Sequence, residues 1–261
     1  MARTALLNVM VNTVRKVARS LVRDFGEVEN LQISRKGPKD FVTSADLRVE
    51  AKLIEFLQEA RPGYGIISEE AGETIGTDKT HRWIIDPIDG TTNFMHANPH
   101  FCISLALERD GVIHAGVIYN PITDELFEAE LNRGAFLNDI KLHMSGRVNL
   151  ADTLISTGQA ELFIDPNSYY RRLAKAHTRS HGVRITGSAA LDLANLAAGR
   201  SDCFWDNGIK IWDIAAGTLM ITEAGGVLSD LDGGEFDINS GRIAATNTNL
   251  MPTFIEMLKI S

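Results

Sequence analysis

Two aspartates lie three residues apart at the end of an apolar run, in the segment WIIDPIDGTTNF at residues 83–94. Pro87 disfavours the helical region for the residue before it, so we expect Asp86 to stay extended and continue a strand. Carboxylate oxygens are the ligands that Mg²⁺ and Ca²⁺ prefer. No lysine or arginine occurs at residues 83–108, so a divalent cation is the natural charge to offset the repulsion between Asp86 and Asp89.

The residues after the second aspartate favour a turn into a helix. Gly90 can take backbone angles that are closed to other residues, and Thr91 or Thr92 would cap the helix. The unpaired N–H groups at the start of a helix bind anions such as phosphate. The segment therefore predicts a site for a metal and a phosphate group, although Asp-Pro and Asp-Gly are also typical of a solvated turn.

Three further segments place acids where an apolar run meets a turn or a helix. They are DFVTSAD with Asp46, ISEEAG with Glu69 and Glu70, and IWDIAAG with Asp213. Each has an ordinary explanation: Asp213 as a helix N-cap, Asp46 as a first-turn acid, and the two glutamates as parts of a solvated loop. The presence of all these segments in one chain favours a shared metal site.

The elements that must position these acids follow from hydrophobic spacing. Apolar residues recur at helical spacing from Leu7 to Phe25, and a second helix is predicted from about Ser44 to Ala60. Short strands are predicted at GIIS and RWIID, and residues 101–140 contain three apolar runs joined by turns, as antiparallel strands require. We therefore expect residues 1–145 to form an α+β half that carries an antiparallel sheet and most of the acids.

Beyond residue 145 the pattern changes. The predicted helices SAALDLANLAAG, DIAAGTLMITEAGG and TNLMPTFIEMLKI alternate with the short strands TLIST, CFW, GVLSD and RIAATN. Such alternation is typical of α/β units. Residues 146–261 are therefore expected to form an α/β half with a mixed sheet, which completes the metal and substrate site.

Composition limits the classes of partner and compartment. The 261 residues include 26 Lys and Arg against 34 Asp and Glu, and the net charge of −8 argues against direct binding to nucleic acid or to an anionic membrane. Polar residues interrupt the N-terminal apolar segment, and no run approaches the ~18 apolar residues of a membrane span. Cys102 and Cys203 each lie in an apolar run, which fits free thiols in the cytoplasm.

The acid-bearing segments, in this order, resemble motifs of the inositol monophosphatases, which belong to the magnesium-dependent, lithium-sensitive phosphatases. The resemblance runs from about residue 5 to 255, and KGPKDFVT, TGSAALDLANLAAGR and NPITDELFEAE are similar to segments of the bacterial SuhB-type branch. It implies a layered αβαβα fold, a homodimer, and the use of two or three Mg²⁺ ions. The implied reaction is hydrolysis of a phosphate monoester by water, with myo-inositol 1-phosphate as the expected substrate.

The resemblance also implies a set of metal ligands. A first Mg²⁺ would be bound by Glu69, Asp86 and the carbonyl oxygen of Ile88. A second would be bound by Asp86, Asp89 and Asp213, so that Asp86 bridges the two. A third, loosely held ion would contact Glu69 through water.

Further roles are implied for the residues around the phosphate. The segment Ile88–Thr91 would contact it, with the amides of Gly90 and Thr91 as donors. Asp46 and Thr91 would orient the attacking water, and Glu70 would act as a second base or orienting group.

The substrate ring would be bound by Gly187, Ser188, Ala189 and Asp206. Family members usually carry glutamate at the last of these positions, so the aspartate has a shorter reach. The segment STGQAELF also lacks the Phe-Pro pattern expected near Gly158 in the bacterial branch.

Two other functions stay open. Fructose-1,6-bisphosphatases and other sugar or nucleotide phosphatases share the metal site, although a 3′-phosphoadenosine 5′-phosphate phosphatase usually has lysine where this chain has Thr92. SuhB-type proteins can also act with the transcription machinery in antitermination. The negative net charge would then indicate a protein partner rather than RNA.

Overall fold

The computed structural model describes residues 3–27, 33–37 and 40–260, with only the backbone described at 33–37 and 40–42. Pro38 and Lys39 of the segment KGPKDFVT lie outside the described residues. The described helices are α1 Ala5–Gly26, α2 Ser44–Ala60, α3 Thr91–Met95, α4 Pro166–Arg179, α5 Ala189–Ala197, α6 Ile211–Glu223 and α7 Met251–Leu258. None of them combines the length and the apolar character that a membrane span needs.

The described strands form a hairpin and two larger sheets. They are β1 Ile33–Gly37, β2 Asp40–Thr43, β3 Gly65–Ser68, β4 Gly72–Thr74, β5 His81–Asp89, β6 Cys102–Arg109, β7 Val112–Asn120, β8 Glu125–Glu130, β9 Gly134–Leu137, β10 Ile140–Lys141, β11 Leu154–Thr157, β12 Gly182–Arg184, β13 Cys203–Asn207, β14 Val227–Ser229 and β15 Arg242–Thr246. The larger sheet has the order β10-β9-β8-β7-β6-β5-β3-β4 and is antiparallel except for the β3–β5 pair. The second, mixed sheet has the order β12-β11-β13-β15-β14.

The elements are arranged in five layers, α, β, α, β, α. Helices α1 and α2 contact the eight-stranded sheet, and α6 contacts the same sheet from between the two sheets. Helices α5 and α6 pack against each other and contact the five-stranded sheet, against which α4 and α7 also pack. The layered fold predicted from the sequence is confirmed.

Close contacts at glycine fix the position of α6 between the sheets. A Cβ atom at Gly116 of β7 would lie 2.9 Å from the Cα of Ala216, and one at Gly217 would lie 2.6 Å from the Cβ of Leu193 in α5. No side chain fits at such separations without movement of the backbone. Because α6 begins with the turn that contains Asp213, these contacts also set the depth of that carboxylate.

One long helix was not predicted from the sequence, and the number of strands was underestimated. Helix α4 was not predicted, although Asp165 caps it and Pro166 occupies its first turn, which is a recognised start signal. The three apolar runs form β6, β7 and β8, as predicted, but β9 and β10 follow them and were not predicted, because both are too short to show a period. The other predicted helices and strands are present near their expected positions.

The division of the chain near residue 145 stays a prediction. The two sheets draw on different parts of the sequence, residues 65–141 and 154–246. One hydrophobic core nevertheless includes Phe127 from the larger sheet and Phe204 from the smaller one, with α5 and α6 between them. Apolar contacts are therefore continuous across the proposed boundary.

Candidate active site

Asp86 and Asp89 face the same side of the larger sheet because β5 is irregular between them. Asp86 lies opposite Ser104 of β6, and Asp89 lies opposite Cys102. An advance of three residues along β5 therefore matches an advance of only two residues along β6. In a regular strand, residues three apart would point to opposite faces. The extra residue at the Pro87 irregularity corrects this alternation and brings both carboxylates to one side.

Asp213 brings a third carboxylate to this place from the first turn of α6. Oxygen atoms of Asp86, Asp89 and Asp213 all lie within 4.8 Å of one another. Asp86 and Asp89 are buried, and Asp213 is partly buried. One oxygen of Asp213 also accepts a hydrogen bond from the Lys210 amide at 3.0 Å, which fixes the carboxylate at the start of the helix.

The electrostatics of this acidic cluster, Asp86, Asp89 and Asp213, favour a bound cation. Burial raises the pKa of Asp86 well above its ordinary value, and the negative charges of Glu69, Asp89 and Asp213 raise it further. Burial, followed by the charge of Asp89, likewise raises the pKa of Asp213. A cation would relieve both effects. The donor set of three hard oxygen ligands that repel one another therefore fits a divalent ion such as Mg²⁺.

Helix α3 begins beside the acidic cluster, but its cap differs from the predicted one. The expectation that Thr91 or Thr92 caps the helix is wrong: the N-cap is Gly90, at φ 96°, and no side chain caps it. A Cβ atom at Gly90 would lie 3.1 Å from the His100 carbonyl oxygen and 3.3 Å from that of Gly187. Only glycine combines this left-handed backbone with so close an approach.

Thr91 instead uses its hydroxyl group to join two predicted site residues. Its Oγ1 donates to Oδ1 of Asp46 at 3.1 Å and lies 3.0 Å from the carbonyl oxygen of Ile88. The other oxygen of Asp46 accepts from the Thr43 amide at 2.8 Å. Burial raises the pKa of Asp46, so this carboxylate is a stronger base than an ordinary aspartate. The structure thus brings Asp46 and Thr91 into direct contact.

The loop before α5 holds Asp89 in place. Oδ2 of Asp89 accepts hydrogen bonds from the hydroxyl of Ser188 at 2.5 Å and from the amide of Ala190 at 2.8 Å. These donors lower the pKa of Asp89, but burial outweighs them and leaves it raised. Ser188, which was predicted to bind the substrate ring, therefore also donates a hydrogen bond to a carboxylate of the acidic cluster.

Asn93 was not predicted and connects α3 to the same loop. Its Nδ2 donates to the carbonyl oxygens of His100 at 2.7 Å and Thr186 at 2.8 Å. A Cβ atom at Gly187, which has φ +87°, would lie 3.1 Å from that nitrogen. Asn93 lies inside the segment WIIDPIDGTTNF, and nothing in that segment indicates this role. The contact with Thr186 depends on a part of the chain 93 residues away.

Asp206 lies in a cleft with a volume of about 540 Å³. The lining includes Asp89 and Asp213 together with all four predicted ring-binding positions, Gly187, Ser188, Ala189 and Asp206. Glu70 is half-buried in the turn after β3 and is not among the lining residues.

The shape of the cleft next to Asp206 depends on Gly158. A Cβ atom at Gly158 would lie 2.0 Å from Oδ2 of Asp206, so the glycine leaves room for the carboxylate. Oδ1 accepts from the Asn207 amide at 2.7 Å and from the Glu161 amide at 3.4 Å. Burial raises the pKa of Asp206 to about 7. The carboxylate is therefore held by the backbone on one side and lies against the cleft on the other.

Comparisons with known proteins agree with this geometry. The model of the inositol monophosphatase family matches residues 3–260. An inositol-1-monophosphatase of Mesorhizobium japonicum is 51% identical over 260 residues, which are 99% of this chain and 98% of the relative. A Nus factor SuhB of Salmonella typhimurium is 38% identical over 257 residues, 97% of this chain and 96% of the relative.

A solved structure gives the same result for the fold. The extragenic suppressor protein suhB from Bartonella henselae superimposes with a TM-score of 0.95 at 48% sequence identity, over 98% of this chain and 99% of that one. The chain therefore belongs to the inositol monophosphatase family of metal-dependent phosphatases, and it hydrolyses phosphate monoesters.

Proposed function

We propose that the chain hydrolyses a polyol monophosphate, with myo-inositol 1-phosphate as the expected substrate and Mg²⁺ as the metal. The observation that carries this proposal is the acidic cluster: its carboxylate oxygens lie within 4.8 Å of one another, and two of its members, Asp89 and Asp213, line the same cleft as Asp206. A metal ion and a hydroxylated ring would thus be bound side by side. An inositol-1-monophosphatase at 51% identity supports the choice of ring.

The metal-binding residues of the proposal are Glu69, Asp86, Asp89, Asp213 and the carbonyl oxygen of Ile88. Glu69 lies near enough for its charge to raise the pKa of both Asp86 and Asp213, which supports its inclusion. Two or three divalent ions, when bound, would neutralise the negative charge of the phosphoryl oxygens and the charge that develops on the leaving oxygen. The chain brings these carboxylates together from β5, from the turn after β3 and from the first turn of α6.

The proton transfer of the proposal is assigned to Asp46 and Thr91. The Thr91 hydroxyl donates to Asp46 Oδ1, so its oxygen can accept a proton from the attacking water as its own proton moves to the carboxylate. The raised pKa of Asp46 favours that transfer. Glu70 remains a proposed second orienting group in the turn beside Glu69. The amides of Gly90 and Thr91, at the start of α3, are the proposed donors to the phosphate.

Ring recognition is assigned to Asp206 with the Gly187–Ala189 segment. The carboxylate of Asp206 is fixed by two backbone amides and can accept hydrogen bonds from ring hydroxyl groups. Its side chain is one methylene shorter than the glutamate usual at this position, so we propose that the ring lies closer to β13 than in most relatives. Gly158 permits that approach because it has no side chain beside Oδ2.

A substrate panel tests the proposal. We expect the purified chain to release phosphate from myo-inositol 1-phosphate with Mg²⁺, to lose this activity in EDTA, and to be inhibited by Li⁺. Fructose 1,6-bisphosphate and 3′-phosphoadenosine 5′-phosphate serve as competing substrates, and kcat/KM should be highest for the inositol phosphate. A higher value for either competitor would favour the alternative phosphatase functions, and no turnover on any substrate would refute the proposal.

A cytoplasmic homodimer with a protein partner in the transcription machinery is the second candidate. It is favoured by the 38% identity to relatives named Nus factor SuhB. The apolar side chain of Ile164, which is 61% exposed, adds support for a protein contact. Light scattering of the purified chain measures the oligomer. A pull-down of transcription factors, repeated with a catalytically inactive variant, separates partner binding from hydrolysis.

A further inference from the structure

Glu50 is a buried acid that the proposed chemistry does not use. Its exposed fraction is 5%, and it lies in α2 four residues after Asp46, which places both carboxylates on one face of the helix. An acid this deeply buried is uncommon unless its oxygens have partners. Among the residues whose side chains the structure describes, the hydrogen-bond partners of Glu50 belong to one short segment, residues 68–71.

One oxygen of Glu50 accepts three hydrogen bonds from that segment. The amides of Glu70 and Ala71 donate to Oε1, each at 3.0 Å, and so does the hydroxyl of Ser68. The preceding amide, that of Glu69, donates to the carbonyl oxygen of Ile85 in β5 at 3.3 Å. Three consecutive amides are therefore fixed, one by the sheet and two by α2.

The fixed turn, residues 69–71, carries two predicted site residues, Glu69 and Glu70. The direction of a side chain in a turn depends on the local backbone conformation. A turn lacks the regular backbone hydrogen bonds that fix this conformation in a helix or a sheet. Hydrogen bonds to an ionised carboxylate are roughly twice as strong as those between neutral groups. Glu50 therefore supplies this turn with a stronger constraint than a backbone carbonyl would.

The same helix face also fixes the second segment of the site. Asp46 lies one helical turn before Glu50, and it accepts a hydrogen bond from the hydroxyl of Thr91 at the start of α3. Helix α2 thus holds the turn at 69–71 through Glu50 and the start of α3 through Asp46. Its own position is set by the larger sheet, since it contacts β5, the strand that carries Asp86 and Asp89.

We propose that Glu50 is a positioning residue for metal binding: it orients the turn at 69–71 so that Glu69 joins the acidic cluster. This inference rests on the proposed function, since it assigns Glu69 to the metal. It predicts that loss of Glu50 weakens Mg²⁺ binding without removing a ligand.

The test compares Glu50→Ala and Glu50→Gln with matched changes at Glu223. Glu223 is the appropriate control because it too accepts two turn amides, from Asn132 and Gly134, each at 2.7 Å. It lies at the end of α6 opposite to Asp213. Substitution at either glutamate frees two turn amides, but only Glu50 is bonded to the turn that carries Glu69.

Two readouts are measured for each folded variant: the Mg²⁺ concentration at half-maximal activity, and the midpoint of the rise in Tm when Mg²⁺ is added to protein without substrate. Residues that support metal ligands typically contribute ~10- to 100-fold in affinity, so we expect both midpoints to rise by at least ~10-fold in Glu50→Ala. Glu50→Gln keeps a neutral acceptor and should shift them by less. Saturating Mg²⁺ should restore most of kcat, whereas Glu223 variants should match the wild-type midpoints.

The outcomes separate this inference from the function on which it rests. Wild-type midpoints that persist in Glu50→Ala and Glu50→Gln would overturn the positioning role, even if both variants lose thermal stability. If Glu50→Ala does not fold, Glu50→Gln decides alone, because its shape preserves the packing. An absence of any Mg²⁺ response in the wild-type chain would instead overturn the proposed function, and this inference with it.

Discussion

Asp86→Asn is expected to reduce kcat/KM for myo-inositol 1-phosphate by about 10³-fold, which corresponds to about 4 kcal/mol of transition-state stabilisation. The reason is the central place of this carboxylate: it is buried and lies within 4.8 Å of Asp89 and Asp213, measured between ligand oxygens. The side-chain amide of asparagine offers the metal one uncharged oxygen, whereas the carboxylate of aspartate offers negatively charged oxygens. Steady-state kinetics at saturating Mg²⁺ measure the loss.

The same substitution should raise the stability of the metal-free protein at pH 7.5. Folding raises the pKa of Asp86, first through burial and then through Glu69 and the rest of the acidic cluster, so the folded state disfavours its charge. Asparagine removes that charge and keeps an oxygen to accept from the Ile88 amide, which donates to Asp86 at 3.0 Å. Lower activity with higher Tm distinguishes a functional acid from a structural one.

Asp110→Asn is the matched control for this experiment. Asp110 is exposed and has φ 51°, a conformation that asparagine tolerates well, so neither activity nor Tm should change. A variant at Asp86 that retained most of the activity would contradict the assignment of this residue to the metal. A fall in metal-free Tm would contradict the electrostatic argument.

The second large effect is a pH-dependent stabilisation by Mg²⁺. Binding to the folded state alone contributes about 2.7 kcal/mol at a concentration 100 times Kd, and each kcal/mol raises Tm by roughly 2–4 °C in chains near this size. We therefore expect Mg²⁺ to raise Tm by about 5–10 °C at pH 8. At pH 5 the rise should be less than half as large, because protons compete with the ion for the carboxylates.

The sign follows from the direction of the pKa changes. Folding raises the pKa values of Asp86, Asp89 and Asp213 above the ordinary 3.8, and that of Asp206 to about 7. Groups raised in this way stabilise the folded state fully below the unfolded pKa, and the stabilisation is lost as the pH rises through the folded pKa. Metal-free protein should therefore lose stability from about pH 4 upward.

Differential scanning calorimetry in EDTA and in Mg²⁺, at pH 5 and pH 8, measures both quantities. NaCl at matched ionic strength controls for general screening of charge. In EDTA, Tm should be lower at pH 8 than at pH 5, and Mg²⁺ should reduce or reverse that difference. An equal effect of Mg²⁺ at the two pH values would show that the acidic cluster does not bind the ion.

Much of the fold and the convergence of the acids could be predicted from the sequence. Asp86, Asp89 and Asp213 lie beside apolar segments whose periods identify a strand and a helix, and the four motifs together indicated one site. The positions of these three acids depend on local patterns, which a single chain displays directly. The family resemblance assigned Asp46 and Thr91 to one water molecule, and a hydrogen bond joins the two side chains.

The features that were missed depend on register and on distant partners. The irregularity that turns Asp86 and Asp89 to one side exists only relative to β6, so the alternation of one strand cannot reveal it. Glu50 and Asn93 resemble ordinary polar residues until the segments that they bind are folded against them. The cap of α3 was misassigned because the N-cap position falls on Gly90, one residue before the threonines, and glycine has no side chain to cap the first amides.

A recombined gene that joined the first part of this chain to the second part of a relative would need more than compatible sheets. Asp89 depends on donors from Ser188 and Ala190, whereas Asp213 arrives on a helix held between both sheets. Exchange near residue 145 would therefore pair a carboxylate from one parent with hydrogen-bond donors from the other. An exchanged second part would preserve the acidic cluster if it supplied a hydroxyl donor at position 188, an amide donor at position 190 and an acid at position 213.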